Sequence, residues 1–128
     1  MGEKSLGDRI WYKNWPPQVP KCLDYPDCSL AEFLQETVSR YGGKTAINFL
    51  DSTISYNRLW DLVRRLATGL SNLGLKKGDV CALMLPNSHQ YVVSYYACQL
   101  LGVTVTAINP TYKALEIQHQ LRDSGAKA

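Results

Sequence analysis

The chain has 128 residues, 45% of them apolar and 20% charged, which excludes a disordered polyelectrolyte and leaves room for one domain with a core. Its net charge of +3 comes from scattered cations, with Arg64-Arg65 and Lys76-Lys77 the only adjacent pairs, so the dense basic stripe of a nucleic-acid binder is absent. No apolar run is long enough to span a bilayer, and MGEKSLGDRIWYKNW lacks the apolar centre of a secretory signal, so the cytosol is the expected compartment.

Residues 1–28 read as an extended arm. The stretch NWPPQVPKCLDYPDCS is rich in proline, which removes backbone donors and biases its predecessor away from helix. Trp11, Trp15 and Tyr25 are too apolar for a free tail and call for a surface to rest on, either this domain's own or another. Residues 29–128 form the second unit. Ser29 and Glu32 make a Ser-x-x-Glu capping box, and Leu30, Phe33, Leu34, Thr37 and Val38 follow as an apolar stripe that ends at Tyr41-Gly42-Gly43. KTAINFL, a turn at Asp51-Ser52 and TISY predict a short antiparallel hairpin.

A long helix is predicted from Ser55 to about Leu73, its core face built from Leu59, Val63, Leu66, Leu70 and Leu73, widened by Trp60 and Ala67. Gly74 suits the position after its C-cap. The rhythm then changes. VCALMLP is continuously apolar, like a strand buried on both faces, and NSHQYVVSYYACQLLG is a helix apolar nearly all round. VTVTAINP is the next strand, YKALEIQHQLRDSG the next helix, and Ala126-Lys127-Ala128 would open a third strand. The expected fold class is α/β: a short hairpin plus a βαβαβ parallel-sheet unit.

Chemistry-bearing motifs are scarce. There is neither a GxGxxG turn nor a GxxxxGK[ST] loop, and His89 and His119 lie 30 positions apart and belong to no recognised motif. Cys22, Cys28, Cys81 and Cys98 also lack metal-ligand spacing. The last two sit in apolar elements as small hydrophobes, and a cytosolic chain would keep Cys22 and Cys28 reduced. What remains is position. Ligands of open α/β sheets bind beyond the carboxyl ends of the strands, which here carry Asn87, Ser88, Asn109 and Tyr112. These four are the candidate rim of a substrate cleft. The competing local reading, a helix cap at Asn87 or Ser88 and an Asx turn at Asn109, has the greater weight for these residue types.

The segments WP..VP..LDYPD, KTAINF…SY..L, LGLKKGDVCALMLPNS..YV.SYYA…LG and INPTY…E..HQL.DSGAK, in this order, resemble the N-terminal part of adenylate-forming acid–CoA ligases, the AMP-binding enzymes. The likeness is greatest to long-chain fatty-acid CoA ligases and runs from Trp15 to the last residue. It implies an enzyme that joins a carboxylate to ATP and passes the acyl group to coenzyme A, with Mg2+ as cofactor. It also implies that this chain is an incomplete N-terminal subdomain, because the family's phosphate loop, ribose-binding acid, magnesium-side acid and C-terminal lysine have no matching positions. On this reading the chain holds no catalytic, cofactor-binding or metal residue and is inactive alone. Its partners would be the remainder of the ligase, with fatty acid, ATP and CoA bound by the whole enzyme.

Two departures from the family pattern concern Lys113-Ala114-Leu115-Glu116, where the family often has Thr-Pro-x-Glu and where Thr111 is expected to cap instead, and Gln90, where an acidic residue is common. Neither touches a catalytic role, and both leave the acyl preference open. An open sheet edge or apolar face would favour self-association. Long-chain acids partition into bilayers, which suits a location at the membrane periphery, although no residue reads as an anchor. The alternative is a standalone interaction module that binds a partner through its Pro/Trp arm. A small nucleotide-binding domain is disfavoured by the missing glycine-rich turn.

Overall fold

The computed structural model describes residues 9–128; the first eight residues of the expected arm lie outside them. Within the arm, Ile10–Asn14 wind as a short 3-10 helix, so this stretch is not simply extended. The arm then folds on itself. The Trp15 indole donates to the Val19 carbonyl (2.8 Å) and the Tyr12 hydroxyl to the Lys21 carbonyl (3.0 Å).

Helix α1 spans Leu30–Tyr41 and opens with the predicted capping box: Ser29 Oγ accepts the Glu32 amide, and the Glu32 carboxylate accepts the Ser29 amide. Both of those Ser29 groups, the amide first and the hydroxyl second, hold the Glu32 carboxyl below the ordinary carboxylate range. The buried line is Ala31 and Leu34 with Val38 beside it, so Leu30 and Phe33 are left on the outer side of the helix. Strands β1 (Thr45–Phe49) and β2 (Ser52–Ser55) form the antiparallel hairpin. Its turn is Leu50-Asp51, one residue earlier than predicted, and Leu50 adopts a left-handed φ of 53°.

Helix α2 (Tyr56–Asn72) buries Leu59, Val63 and Ala67. Leu73, predicted on its core face, is 80% exposed, because the helix has already ended there. The core position passes to Leu75. Gly74, at φ 92°, donates its amide to Ser71 and turns the chain so that the Leu75 amide reaches the Leu70 carbonyl (3.1 Å). These are the two bonds of a Schellman motif, and its characteristic apolar contact follows, since Leu70 packs on the cluster that contains Leu75. The end of α3 (His89–Leu101) repeats the device. Gly102, at φ 68°, lets the Val103 amide reach the Cys98 carbonyl, and Val103 and Cys98 share the same cluster.

Strands β3 (Val80–Leu83) and β4 (Thr104–Ala107) pair in parallel, joined through α3. Helix α4 (Ala114–Ser124) follows. The nearly all-apolar α3 is covered on two sides: Cys98 joins Cys81, Leu83 and Val103 against the sheet, while Val93 joins Leu34, Leu59 and Val63 against α1 and α2. Ala126–Ala128 do begin a further pairing. The Lys127 amide donates to Val80 (2.8 Å) and the Ala82 amide to Ala128 (2.7 Å), while Asp79 and Leu83 carbonyls accept from Thr104 and Ile108 of the β4 side. β3 is therefore flanked on both edges. The α/β class, with a hairpin and a parallel βαβ unit, is the architecture observed.

One polar junction ties these pieces together. The Asp79 carboxylate accepts the Lys76 amide (2.9 Å) and the Lys127 ammonium (2.8 Å), and the same ammonium donates to the Gly74 carbonyl (3.1 Å). Lys127, and after it the Lys76 amide, pulls the Asp79 carboxyl below its ordinary range. A depressed carboxylate contributes stability above its unfolded value and loses it as pH falls through the folded value. The expected result is that acidification toward about pH 3 lowers the melting temperature of the native chain more than that of Asp79→Asn, so that the gap between them narrows. Thermal melts across that range check it; parallel curves would remove the junction from the stability account.

Candidate functional site

Alternation along the sheet decides how the two candidate loops lie. Cys81, Leu83 and Val105 face α3. Thr106, one residue on from Val105, points to the opposite face, and there its hydroxyl accepts a hydrogen bond from Gln120 of α4 (3.0 Å). Gln120 also donates to the Ala107 carbonyl (2.8 Å). Adjacent strands β3 and β4 thus send their following loops to opposite faces. This is a topological switch point, the place where open α/β sheets commonly bind ligands.

The four predicted rim residues sit on those two loops. Ser88 caps α3, its Oγ accepting the Tyr91 amide at 3.4 Å. Asn109 makes an Asx turn: its Oδ1 accepts both the amide (3.0 Å) and the hydroxyl (2.9 Å) of Thr111. The Tyr112 amide bonds the Asn109 carbonyl (3.0 Å), which brings Asn109 and Tyr112 together in one turn. Asn87 is exposed and makes no side-chain hydrogen bond among the described residues. The local roles expected of Ser88 and Asn109 are therefore present.

Thr111, by contrast, does not cap α4. The residue at the cap is Lys113, whose amide is held by the Glu116 carboxylate at 2.8 Å. The helix begins only after Lys113, two residues beyond Thr111, and Thr111 is held in the Asx turn of Asn109 instead. The retained glutamate performs its half of the capping box without a hydroxyl partner.

Tyr112 does not face Asn87 or Ser88 in a shared pocket. It lines an open cleft of about 620 Å³ along α4 with Leu115, Glu116, His119, Gln120 and Asp123. A second cleft, of about 350 Å³, lies at the start of α3 and is lined by Ile54, Leu62, Leu66, His89, Gln90, Val93 and Ser94. Sequence reasoning missed this one, since it joins the hairpin, α2 and α3. His89 packs edge-on against Phe49 (ring centroids 5.6 Å apart), and its Nε2 is buried with no hydrogen-bond partner among the described residues. Burial also raises the Cys98 thiol to about 12, with Cys81 beside it adding to the effect. That pair is a piece of core rather than a nucleophile.

Known proteins resemble this chain in sequence and in fold. The family model described as "AMP-binding enzyme" matches residues 34–128. The long-chain-fatty-acid–CoA ligase of Escherichia coli O6:H1 is 37% identical over 123 residues, covering 94% of this chain and 22% of the relative. That of Bacillus subtilis is 36% identical, over 89% of this chain and 20% of the relative. A solved long-chain-fatty-acid-CoA ligase from Archaeoglobus fulgidus superposes with a TM-score of 0.75 at 32% identity, covering 83% of this chain and 23% of that one. The chain spans about a fifth of the length of the curated relatives it matches. With its family model, its sequence relatives and its fold in agreement, the chain belongs to the AMP-binding enzyme family.

Proposed function

We propose that this chain is the N-terminal segment of a fatty-acid CoA ligase that adenylates a carboxylate with ATP and transfers the acyl group to CoA. The observation that carries the reading is the similarity to long-chain-fatty-acid–CoA ligases over 94% of the chain. On this proposal residues 1–28 are an arm, and residues 29–128 contribute a flank of the large domain. Asn87, Ser88, Asn109 and Tyr112 stand at the rim of its cleft, on the loops of the β3/β4 switch point.

The segment's part in the reaction is architectural. On the likeness to CoA ligases, ATP, Mg2+ and CoA are assigned to the remainder of a ligase chain, which is also this segment's main partner; the sequence itself offers no glycine-rich phosphate loop. Among the described residues no helix is long and apolar enough to cross a membrane. The proposed location is the cytosol, at the membrane periphery where long-chain acids partition.

The test is pyrophosphate release with palmitate, ATP and CoA. The 128-residue chain alone is expected to release none, while the full-length gene product forms palmitoyl-CoA. Turnover by the chain alone would refute its architectural role. A full-length product that ligates no fatty acid would refute the substrate class.

A further inference from the structure

Helix α4 reaches back to both ends of the loop that follows β4. Thr104 and Ile108 donate their amides to the Asp79 and Leu83 carbonyls (2.9 Å each), so alternate residues of β4 direct their main-chain groups to β3. The Ala107 carbonyl, out of step with them, faces the outer edge of the strand. There it accepts from the Gln120 side-chain amide at 2.8 Å, and the same nitrogen donates to the Thr106 hydroxyl at 3.0 Å. One helical turn earlier, the Glu116 carboxylate accepts the Lys113 amide at 2.8 Å. Between these two holds the chain passes through buried Ile108 and the turn that joins Asn109 to Tyr112.

We propose that Gln120 is a positioning residue for the ligase reaction: it fixes the exit of β4 and, with Glu116 holding the far end, sets where Asn109 and Tyr112 stand. This role rests on the reading of those two residues as part of the rim of the ligase's substrate cleft. The Asx turn of Asn109 closes the loop on itself without tying it to the sheet, and Pro110 has no amide to offer. Ile108 and Gln120 make that tie. The chemistry calls for a donor, because both partners of the Gln120 nitrogen accept. A carboxylate of the same shape would set lone pairs against the Ala107 carbonyl and leave it without its bond. Gln120 reaches no reacting group, so its effect falls on binding, in the ground state and the transition state alike. Such an effect raises KM and leaves kcat in place.

The experiment compares Gln120→Glu and Gln120→Lys with the native full-length gene product, by steady-state kinetics with palmitate and by amide hydrogen exchange over residues 107–113. Gln120→Glu, isosteric but without a donor, is expected to speed exchange in that segment and to raise the KM for palmitate about tenfold, on the scale of a lost hydrogen bond. Its kcat should stay within about twofold, as for a change in uniform binding. Gln120→Lys keeps a donor at similar reach and should recover most of the KM. Unchanged exchange in Gln120→Glu would overturn the proposal. So would a lower melting temperature and a lower kcat at constant KM, the mark of a residue that only holds the fold together. Equal impairment of both variants would also overturn it, since the donor would then be immaterial. A full-length product that ligates no fatty acid would instead sink the ligase reading, and exchange over residues 107–113 would still decide whether Gln120 holds the loop.

Discussion

Replacing Leu59 with alanine is expected to lower the unfolding free energy by about 2–5 kcal/mol. Leu59 is 3% exposed and sits in the cluster where Leu34 of α1, Val63 of α2 and Val93 of α3 meet. Removing its branched end strips apolar area from three helices at once. Helix axes cannot all close on the vacancy, because α3 is also held on its other side by Cys81, Leu83 and Val103 against the sheet. For a chain of this size the loss is a large part of the roughly 5–15 kcal/mol that natural domains possess. Urea titration followed by Trp60, which packs on the same cluster, measures it. A change under about 1 kcal/mol, below the range for buried leucine, would mean that the three-helix junction collapses freely, and the rigid picture of α3 would be wrong.

The second large effect is chemical. In the native chain a thiol reagent such as DTNB is expected to modify Cys22 and Cys28, which are exposed, and to spare Cys81 and Cys98, which are buried. Burial and the neighbouring Cys81 raise the Cys98 thiol from its usual 9.0 to about 12, which alone cuts its thiolate fraction about a thousandfold at neutral pH. Exclusion of the reagent adds to this. Two equivalents should react at once and the other two only on unfolding in guanidinium. Rapid reaction of all four in native buffer would show that β3 and α3 separate readily.

Much of the architecture could be read from residue order. The capping box at Ser29, the hairpin, the periodicity of α2 and the alternating strands and helices from Val80 onward all rest on local rules that tertiary packing reinforced. The misreadings share a different origin. Leu73 follows the helical period but lies beyond a stop set by Gly74, and Leu30 and Phe33 lost the core face to small Ala31, which allows a closer approach. Thr111 had the chemistry of a cap, yet the helix starts later, with Lys113 at its cap position.

The candidate site was legible only as a location. Strand ends marked the two loops, whereas the switch of faces between them depends on the Gln120–Thr106 bond across 14 residues. The cleft beside His89 was hidden for the same reason: its walls come from three separate elements. Neither window-based periodicity nor spacing reports such meetings.

The junction at Asp79 also sets a timetable. Lys127 follows Asp79 by 48 residues, so a ribosome adding about 5–20 residues per second delivers the lysine roughly 2–10 s after the carboxylate. β4 comes sooner and takes the edge of β3 that Asp79 and Leu83 carbonyls offer. The other edge, at Val80 and Ala82, waits through the synthesis of α3, β4 and α4 with its main-chain groups unpaired. For a nascent chain this interval leaves one edge of β3 open to misplaced strands, and it ends when the main chain of Lys127 and Ala128 pairs with Val80 and Ala82.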